Sequence, residues 1–240
     1  MSDAALIIGA SGGIGAALTI RWRSDGRYAR VFTASRQSSS DSDPHHLVLD
    51  LTCGSSLSRA AEALKVRLNG YSLSAIVVCS GLLHGEALQP ERRLGALDAD
   101  AFTASIAVNA LGPLLVAKYF SPLLSKTEPS HLLALSARVG SISDNRLGGW
   151  FSYRCSKAAL NQGFQTLAVE LRRTHPQCVV TLFHPGTVDT ALSEPFQRNV
   201  PANQLFSPAR AARQLDDVMH ARLAPREHIF VDWAGKPVAF

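Results

Sequence analysis

Short runs of apolar residues alternate along this chain with longer stretches in which apolar residues recur every three or four positions. The short runs predict seven strands, at residues 4–8, 30–34, 46–49, 75–79, 132–135, 178–183 and 228–231. The longer stretches predict helices at residues 13–23, 57–68, 102–124, 153–173 and 208–221. Strands that are apolar throughout are buried on both faces, and their alternation with helices implies right-handed crossovers between parallel strands. The pattern therefore predicts an α/β fold: one doubly wound Rossmann-type domain over residues 1–240, with a mainly parallel seven-stranded sheet flanked by helices.

Two polar segments interrupt this alternation. Residues 37–44 (QSSSDSDP) predict a loop after the second strand. Residues 190–207 contain Pro195 and Pro201 and separate the sixth strand from the last helix. In an α/β sheet the loops beyond the carboxyl ends of the strands carry the functional site. We therefore expect residues 190–207 to form a lid over a substrate site.

The composition and the charge pattern argue against several classes of function. The chain has 240 residues and a formal net charge of +5, with its 24 Lys and Arg residues scattered along it. Nucleic-acid-binding proteins concentrate such residues on one face or arm, so we expect no nucleic-acid partner. The four cysteines form no CxxC pair and the eight histidines show no metal-ligand spacing, so we expect reduced thiols and no metal. No basic segment precedes the first apolar run and no run approaches the ~18 residues of a membrane span, which predicts a cytoplasmic protein without a membrane partner.

A glycine-rich turn follows the first predicted strand. Its sequence, GASGGIG over residues 9–15, has the spacing G-x-x-x-G-x-G and leads directly into a helix. Small residues let the backbone approach a pyrophosphate, and the N–H groups and dipole of the helix N-terminus hold its negative charge. The turn therefore predicts a dinucleotide site, with cofactor-binding candidates at Gly9, Ser11, Gly12, Gly13, Ile14 and Gly15.

The end of the second predicted strand indicates which nicotinamide cofactor is bound. An acidic residue at this point would bind the ribose 2′-hydroxyl of NAD and repel a 2′-phosphate. This chain has Ser35 followed by Arg36 instead. A guanidinium pairs with a phosphate through two parallel N–H groups. Arg36 therefore predicts NADP(H) as the cofactor.

Tyr153 and Lys157 are the strongest candidates for catalysis. They stand four residues apart at the start of the predicted helix 153–173, so their side chains share one face. A free phenol has a pKa near 10 and is a poor acid or base at neutral pH, whereas a nearby positive charge lowers that pKa. We expect Lys157, together with the nicotinamide, to lower the pKa of Tyr153 and make it a general acid or base.

These segments together resemble the short-chain dehydrogenase/reductase family along nearly the whole chain. The resemblance is carried by the glycine turn, by the Tyr153-x-x-x-Lys157 motif, and by VNALG at 108–112 and PGTVDT at 185–190. Within that family, the segments LSARVGS at 135–141, WFSY at 150–153 and FVDWAGK at 230–236 look most like the C-factor-like carbonyl reductases.

The resemblance implies roles for further residues. It implies that Asn109 supports a water-mediated proton relay and that Lys157 also binds the nicotinamide ribose. Cys79 and Ser80 replace the usual residues in the place of the family's N-N-A-G turn. Besides the glycine turn and Arg36, the implied cofactor-binding residues are Asp50, Leu51, Ser80, Gly81, Asn109, Tyr153, Lys157, Pro185, Gly186, Val188 and Thr190.

One position departs from the family pattern. The substrate-orienting serine of the family stands three residues before the glycine that follows the fifth strand, and that position here is Ala137. Ser136 precedes it, and because neighbours in an extended chain point in opposite directions, Ser136 would offer only its backbone. Ser141 would reach the carbonyl if the loop curls back. Ser136 and Ser141 therefore both remain catalytic candidates.

The role of the aromatic pair Trp150 and Phe151, directly before the catalytic helix, stays open. The two side chains would either form a wall of the substrate pocket or cover the start of the helix. The sequence favours neither arrangement over the other.

The residues and the resemblance predict an NADPH-dependent oxidoreductase that transfers a hydride between nicotinamide and a carbonyl or alcohol substrate, with Tyr153 as general acid or base. The alternative is an NAD(P)(H)-binding regulatory or signalling protein of the same fold with weak catalysis, which Ala137 favours and the intact Tyr153 and Lys157 disfavour. A structural protein without a cofactor is disfavoured by the glycine turn and Arg36. As partners we expect a small-molecule substrate and a second copy of the chain, in a homo-oligomeric dimer or tetramer.

Overall fold

The structure is a computed structural model that describes residues 3–38, 43–86, 88–222, 224 and 228–240. Its central sheet comprises β1 (Asp3–Ile8), β2 (Arg30–Ser35), β3 (His46–Val48), β4 (Ser72–Val78), β5 (Ser130–Leu135), β6 (Cys178–His184) and, after two short strands, β9 (Phe230–Asp232). The short strands β7 (Thr187–Val188) and β8 (Leu205–Phe206) form a separate parallel pair.

The strand order is β3-β2-β1-β4-β5-β6-β9, and every neighbouring pair is parallel. The prediction of a doubly wound sheet with seven parallel strands is therefore confirmed. The direction of winding reverses between β1 and β4. Ligands of such sheets bind in the crevice beyond the carboxyl ends of the strands at this reversal. The turns after β1 and β4 are thus the first place to look for a site.

Six helices flank the sheet in the described part of the chain: α1 (Gly13–Asp25), α2 (Gly54–Leu68), α3 (Ala99–Ile106), α4 (Gly112–Phe120), α5 (Phe151–Thr174) and α6 (Pro208–Ala221). The long helix predicted over residues 102–124 is present as the helical run Ala99–Leu123, but it is not α-helical throughout. A π-helical turn at Ala107–Leu111 separates α3 from α4, and a 3₁₀ turn follows at Ser121–Leu123. Pro113, near the start of α4, has no N–H to donate in the helical hydrogen-bond pattern. Single π-helical turns within helices are frequent at functional sites.

The apolar core lies on both faces of the sheet. Leu6 and Ile8 of β1 face one layer with α2, α4 and α5, while Ala5 and Ile7 face the other layer with α1 and α6. Alternation along β1 therefore serves two cores, as a fully buried strand requires.

The buried carboxylate of Asp216 ties α6 to α1. It accepts hydrogen bonds from the Trp22 indole at 2.8 Å and from Arg21 at 2.7 Å. Burial alone would raise the pKa of Asp216, but hydrogen bonds from His220, Trp22 and Arg21 outweigh it and hold that pKa well below its usual range. The ion pair therefore fixes the first helix, and with it the turn that precedes the helix.

The run Ala99–Leu123 is long and apolar enough to cross a membrane by length and composition, since an 18-residue window within it has a mean hydropathy of 1.4. This corrects the expectation that no segment approaches that length. One third of the run is buried, α3 packs against α5, and α4 packs against α2. Asn109 in the middle of the run is fully buried and hydrogen-bonded. The run thus acts as a helical layer of this domain.

Of the two segments predicted as loops, one is described only in part and the other throughout. Within the loop 37–44, residues 39–42 lie outside the described residues. The segment 190–207 is described throughout and contains two 3₁₀ turns, at Glu194–Asn199 and Ala202–Gln204, before β8. Asp189 N donates to Phe206 O at 2.8 Å and closes this segment at its base. We refer to residues 190–207 as the lid segment below.

Candidate active site

The glycine turn folds tightly against the end of β4. Gly9 has a φ of 81°, a left-handed conformation that favours glycine, and a Cβ there would lie 2.6 Å from Ser80 Oγ. A Cβ on Gly15 would lie 2.3 Å from Gly9 O. Both positions therefore require glycine. Ser11, Gly12 and Gly13 are exposed, so the N-terminus of α1 opens to solvent at the reversal point of the sheet. The N–H groups of a first helical turn lack helical partners, and here they can bind a phosphate.

The segment 185–190 reaches the same turn from the other side of the crevice. A Cβ on Gly13 would lie 2.5 Å from Thr190 Cγ2. Gly186 has a φ of 76°, and a Cβ there would lie 2.9 Å from the Phe206 ring. The structure therefore brings the predicted cofactor residues of this segment against the glycine turn.

The groups predicted to bind the adenosine half lie beyond β2 and β3. Arg36 is exposed directly after β2. Asp50 is also exposed, and its carboxylate accepts hydrogen bonds from Thr52 N at 2.8 Å and Thr52 Oγ1 at 2.7 Å. These bonds, with a smaller contribution from the charge of Arg36, hold the pKa of Asp50 below its usual value. Leu51 is buried against Gly112.

A cavity of about 330 Å³ borders this region, between α1 and the end of β2. It reveals two residues that the sequence did not single out, Arg23 and His46. His46 Nδ1 lies 2.9 Å from Thr33 Oγ1, and Arg23 forms an ion pair with Asp43 at 2.7 Å. The signal for His46 was a polar residue at the start of an apolar strand.

Tyr153 and Lys157 lie together in the first two turns of α5 and are both buried. Lys157 Nζ donates a hydrogen bond to Leu135 O at 2.9 Å and lies 5.7 Å from the Tyr153 ring centroid. The close approach of α5 depends on Gly140, where a Cβ would lie 2.7 Å from Lys157 Cβ. The carbonyl end of β5 thereby fixes the position of the ammonium beside the phenol.

The pKa of Tyr153 differs from the expectation. Burial raises the pKa of the Tyr153 phenol to about 12, and burial lowers the pKa of Lys157 to about 8. The lowering was predicted for Lys157 together with the nicotinamide, whereas in the protein by itself the pKa shifts upward. The physical reason is that both groups are removed from water, which penalises the phenolate and the ammonium alike.

Asn109 links the turn after β4 to the catalytic helix. Its Oδ1 accepts from Leu82 N at 2.8 Å, and its Nδ2 donates to Leu82 O at 2.7 Å and to Ser156 Oγ at 3.0 Å. Ser156 Oγ in turn donates to Tyr153 O at 2.9 Å. A Cβ on Gly81 would lie 3.7 Å from Asn109 Oδ1, so the turn with Ser80 and Gly81 lies beside this amide.

Both candidate serines use their hydroxyl groups within the protein. Ser136 Oγ donates to Asn161 Oδ1 at 2.6 Å, which ties the end of β5 to α5. Ser141 Oγ accepts from Asp144 N at 3.2 Å. Both serines are buried, whereas Ala137 is partly exposed. The residue facing the crevice at this point therefore has a methyl group where a hydroxyl is the usual choice.

A chain of three aromatic side chains begins beside Tyr153. The Trp150 ring lies 6.2 Å from the Tyr153 ring and 5.0 Å from the Phe196 ring, and Phe196 lies 5.7 Å from His84. Two arrangements were left open for Trp150, and the structure has its ring beside the Tyr153 phenol and the lid segment. Sequence reasoning missed Phe196 and His84, because both come from segments distant along the chain from Tyr153.

Glu91 is a further residue without a sequence signal. Its carboxylate is buried and accepts hydrogen bonds from Ser152 Oγ and from Ser152 N, the latter at 3.2 Å. Its carbonyl oxygen accepts from Trp150 N at 2.5 Å. Glu91 thus caps the N-terminus of α5 from a separate segment, a role that the Trp150 side chain cannot fill.

Comparison with known proteins places these features in a wider group. The sequence profile described as short chain dehydrogenase matches residues 3–201. A 1-hydroxy-2-glutathionyl-2-methyl-3-butene dehydrogenase of Rhodococcus sp. is 35% identical over 57% of this chain and 57% of its own length. The C-signal protein of Myxococcus xanthus is 37% identical over 42% of this chain and 60% of its own length. The chain thus spans less than two thirds of either relative.

Solved structures share the fold over the whole chain. The carbonyl reductase Sniffer of D. melanogaster superposes with a TM-score of 0.84 at 20% identity, covering 100% of both chains. The NADPH-bound carbonyl reductase from chicken fatty liver superposes with a TM-score of 0.82 at 20% identity, covering 99% of this chain and 94% of that one. At this identity the likeness concerns the fold.

Proposed function

Because this chain belongs to the short-chain dehydrogenase family, we propose that it is an NADPH-dependent carbonyl reductase with Tyr153 as its proton donor. The observation that carries the proposal is the burial of Tyr153 and Lys157 side by side at the start of α5. They lie at the same edge of the sheet as the glycine turn, at the carboxyl ends of the strands. A small-molecule carbonyl compound is the substrate class that this arrangement fits.

The glycine turn fits the pyrophosphate of a dinucleotide. Only glycine is tolerated at Gly9 and Gly15, and the exposed Gly12 leaves room beside the start of α1. Arg36 would pair with a 2′-phosphate, and Thr190 would close over the nicotinamide side. When bound, NADPH would supply the hydride. The NADPH in the chicken fatty liver carbonyl reductase, which shares this fold, supports the choice of cofactor.

The protonation states support a donor role for Tyr153. With a pKa of about 12, the phenol is protonated at neutral pH and can deliver its proton to the oxygen of a bound carbonyl group. Lys157, with a pKa of about 8, carries a positive charge in much of the population at pH 7. That charge favours the phenolate left after proton transfer. Ser156 and Asn109 keep this turn of α5 in place.

A second function is favoured by one observation. The hydroxyls of Ser136 and Ser141 are engaged with Asn161 and Asp144, and the usual serine position is Ala137. A site without a hydroxyl to polarise the carbonyl would turn over slowly, which suits a cofactor-binding regulatory protein. The C-signal relative is consistent with that reading.

A carbonyl panel distinguishes the two functions. Aldehydes and ketones are added to the protein with NADPH, and loss of cofactor absorbance is followed for the wild type, Tyr153→Phe and the control Tyr119→Phe. The enzyme reading expects turnover that falls by about 10² or more in Tyr153→Phe and stays unchanged in Tyr119→Phe. Tight NADPH binding without turnover on any member of the panel would favour the regulatory reading instead.

A further inference from the structure

The space beside Tyr153 is bordered by an aromatic surface from two distant segments. Trp150 packs edge-on against Phe196, with ring centroids 5.0 Å apart and planes at 62°. Trp150 also contacts Tyr153 edge-on at 6.2 Å. Both Trp150 and Phe196 are only partly buried, so each retains ring area that faces solvent. We call these two residues the aromatic wall.

Trp150 is held in place by an unusual backbone conformation. Its φ of 53° is one of two positive values among the non-glycine residues of the described chain. A bulky residue in this region is strained and persists only where the surroundings enforce it. Glu91 supplies that enforcement, since its carbonyl accepts from Trp150 N and its carboxylate accepts from the next residue but one, Ser152. Such strain clusters at ligand sites.

Phe196 is held by the lid segment. It lies in the 3₁₀ turn Glu194–Asn199, where Gln197 Nε2 donates to Asp189 Oδ1 at 3.1 Å. His84, from the segment after β4, stacks edge-on against Phe196 and lies 2.9 Å from Ala191 O. These contacts hold the lid segment against Trp150, which itself contacts Tyr153.

These contacts define the chemistry of the acceptor half of the site. Ala137, partly exposed just after β5, has only a methyl group, and the aromatic wall borders Tyr153 through Trp150. An aromatic group on a substrate can pack against these rings in the offset or edge-on geometry that aromatic pairs prefer. We propose that the acceptor half takes carbonyl compounds that carry an aromatic or bulky apolar group, bound against Trp150 and Phe196. This inference rests on the proposed carbonyl reductase function.

The test compares two ketones that differ only by a remote phenyl ring. Butan-2-one and 4-phenylbutan-2-one share the methyl ketone group, so their carbonyl reactivity is matched. Wild-type protein saturated with NADPH is expected to prefer the phenyl ketone in kcat/KM by about tenfold or more. Trp150→Gly removes the indole while glycine keeps the left-handed conformation without strain. This variant and Phe196→Leu are expected to lose most of the preference, measured as the ratio of kcat/KM for the two ketones.

Leu147→Gly is the matched control, because Leu147 lies in the same loop before α5 and is 92% exposed. It is expected to keep the wild-type preference. If the ratio of kcat/KM for the two ketones is the same in the wild type, Trp150→Gly and Phe196→Leu, the proposal is overturned.

A binding measurement separates this proposal from the proposed function. Calorimetry follows 4-phenylbutan-2-ol binding to the NADPH-saturated protein, which requires no turnover. Loss of about tenfold in affinity in Trp150→Gly, but not in Leu147→Gly, supports the aromatic wall even if neither ketone is reduced. Unchanged affinity in Trp150→Gly would overturn the wall, whatever the activity of the enzyme.

Discussion

Replacing Glu91 with alanine should destabilise the protein well beyond the effect of an ordinary surface mutation. Glu91 is 4% exposed, and its carboxylate accepts from Ser152 N at 3.2 and 3.3 Å and from Ser152 Oγ. The substitution leaves a buried N–H and a buried hydroxyl without this acceptor and removes a negative charge from a helix N-terminus. Loss of a cap costs about 0.5–2 kcal/mol, and a hydrogen bond to a charged group contributes about 1.5–3 kcal/mol.

Alanine also removes the desolvation cost of the buried carboxylate, which offsets part of this loss of stability. We therefore expect the free energy of unfolding to fall by roughly 2–3 kcal/mol in Glu91→Ala, and by about 1 kcal/mol in Glu91→Gln, which keeps one acceptor oxygen. Urea denaturation at pH 7 measures both values. Glu62→Ala on the exposed face of α2 is the control and should stay within about 0.5 kcal/mol of the wild type.

The same change should reach the site, because Tyr153 directly follows Ser152. We expect kcat to fall in Glu91→Ala while the affinity for NADPH changes little, since the glycine turn lies on other elements. A loss of stability in Glu91→Ala no larger than that in Glu62→Ala would refute the reasoning.

Three further predictions follow from the site and the core. Wild-type protein should bind NADPH at least about tenfold tighter than NADH, which corresponds to about 1.4 kcal/mol, and Arg36→Ala should remove this preference. Fluorescence titration measures both affinities. An unchanged ratio of affinities in Arg36→Ala would show that Arg36 does not recognise the 2′-phosphate. Ala137→Ser should raise turnover on simple carbonyls, because it adds a hydroxyl donor. If Ser141 already has that role, Ser141→Ala should lower turnover instead. If neither substitution changes turnover, the regulatory function is favoured. Burial lowers the pKa of His131 to about 4, below its unfolded value near 6.5, so its contribution to stability is full above pH 6.5 and is lost as the pH falls toward 4. His131→Leu should flatten this decline by up to about 3 kcal/mol, which urea denaturation at pH 7.5 and 4.5 measures; equal declines would show that other groups dominate.

The sheet could be predicted from the sequence because its strands are buried on both faces. A strand such as β1 or β6 must be apolar throughout, and this leaves a clear run in the sequence. The π turn between α3 and α4 could not be predicted in the same way. Apolar residues recur at helical spacing across residues 102–124, and the π turn at Ala107–Leu111 changes that spacing by one residue only. Asn109 lies within this turn, and its buried hydrogen bonds go to Leu82 in another segment.

The residues of the candidate site fall into the same two groups: those placed by local spacing and those placed by contacts between distant segments. The glycine turn and the Tyr153–Lys157 pair are local patterns, in which spacing alone sets the geometry. Glu91 and Phe196 reach α5 from distant parts of the chain, so no local spacing points to them.

The upward shift of the Tyr153 pKa in the protein without cofactor could not be predicted, for a related reason. The proximity of Lys157 could be derived from a spacing of four residues, but the burial of both groups depends on how β5, Gly140 and α5 pack. Burial decides the sign of the shift here. The predicted homo-oligomer stays a prediction.

Single-turnover hydride transfer in Tyr153→Phe tests the central claim most directly. The variant keeps the ring, and with it the edge-on contact with Trp150, but lacks the O–H that would protonate the substrate oxygen. With NADPH saturating and a reducible ketone added in rapid mixing, the account predicts unchanged affinity for NADPH and a rate of cofactor oxidation at least about 10²-fold below that of the wild type. Wild-type rates in this variant would contradict the account and remove Tyr153 from the chemistry.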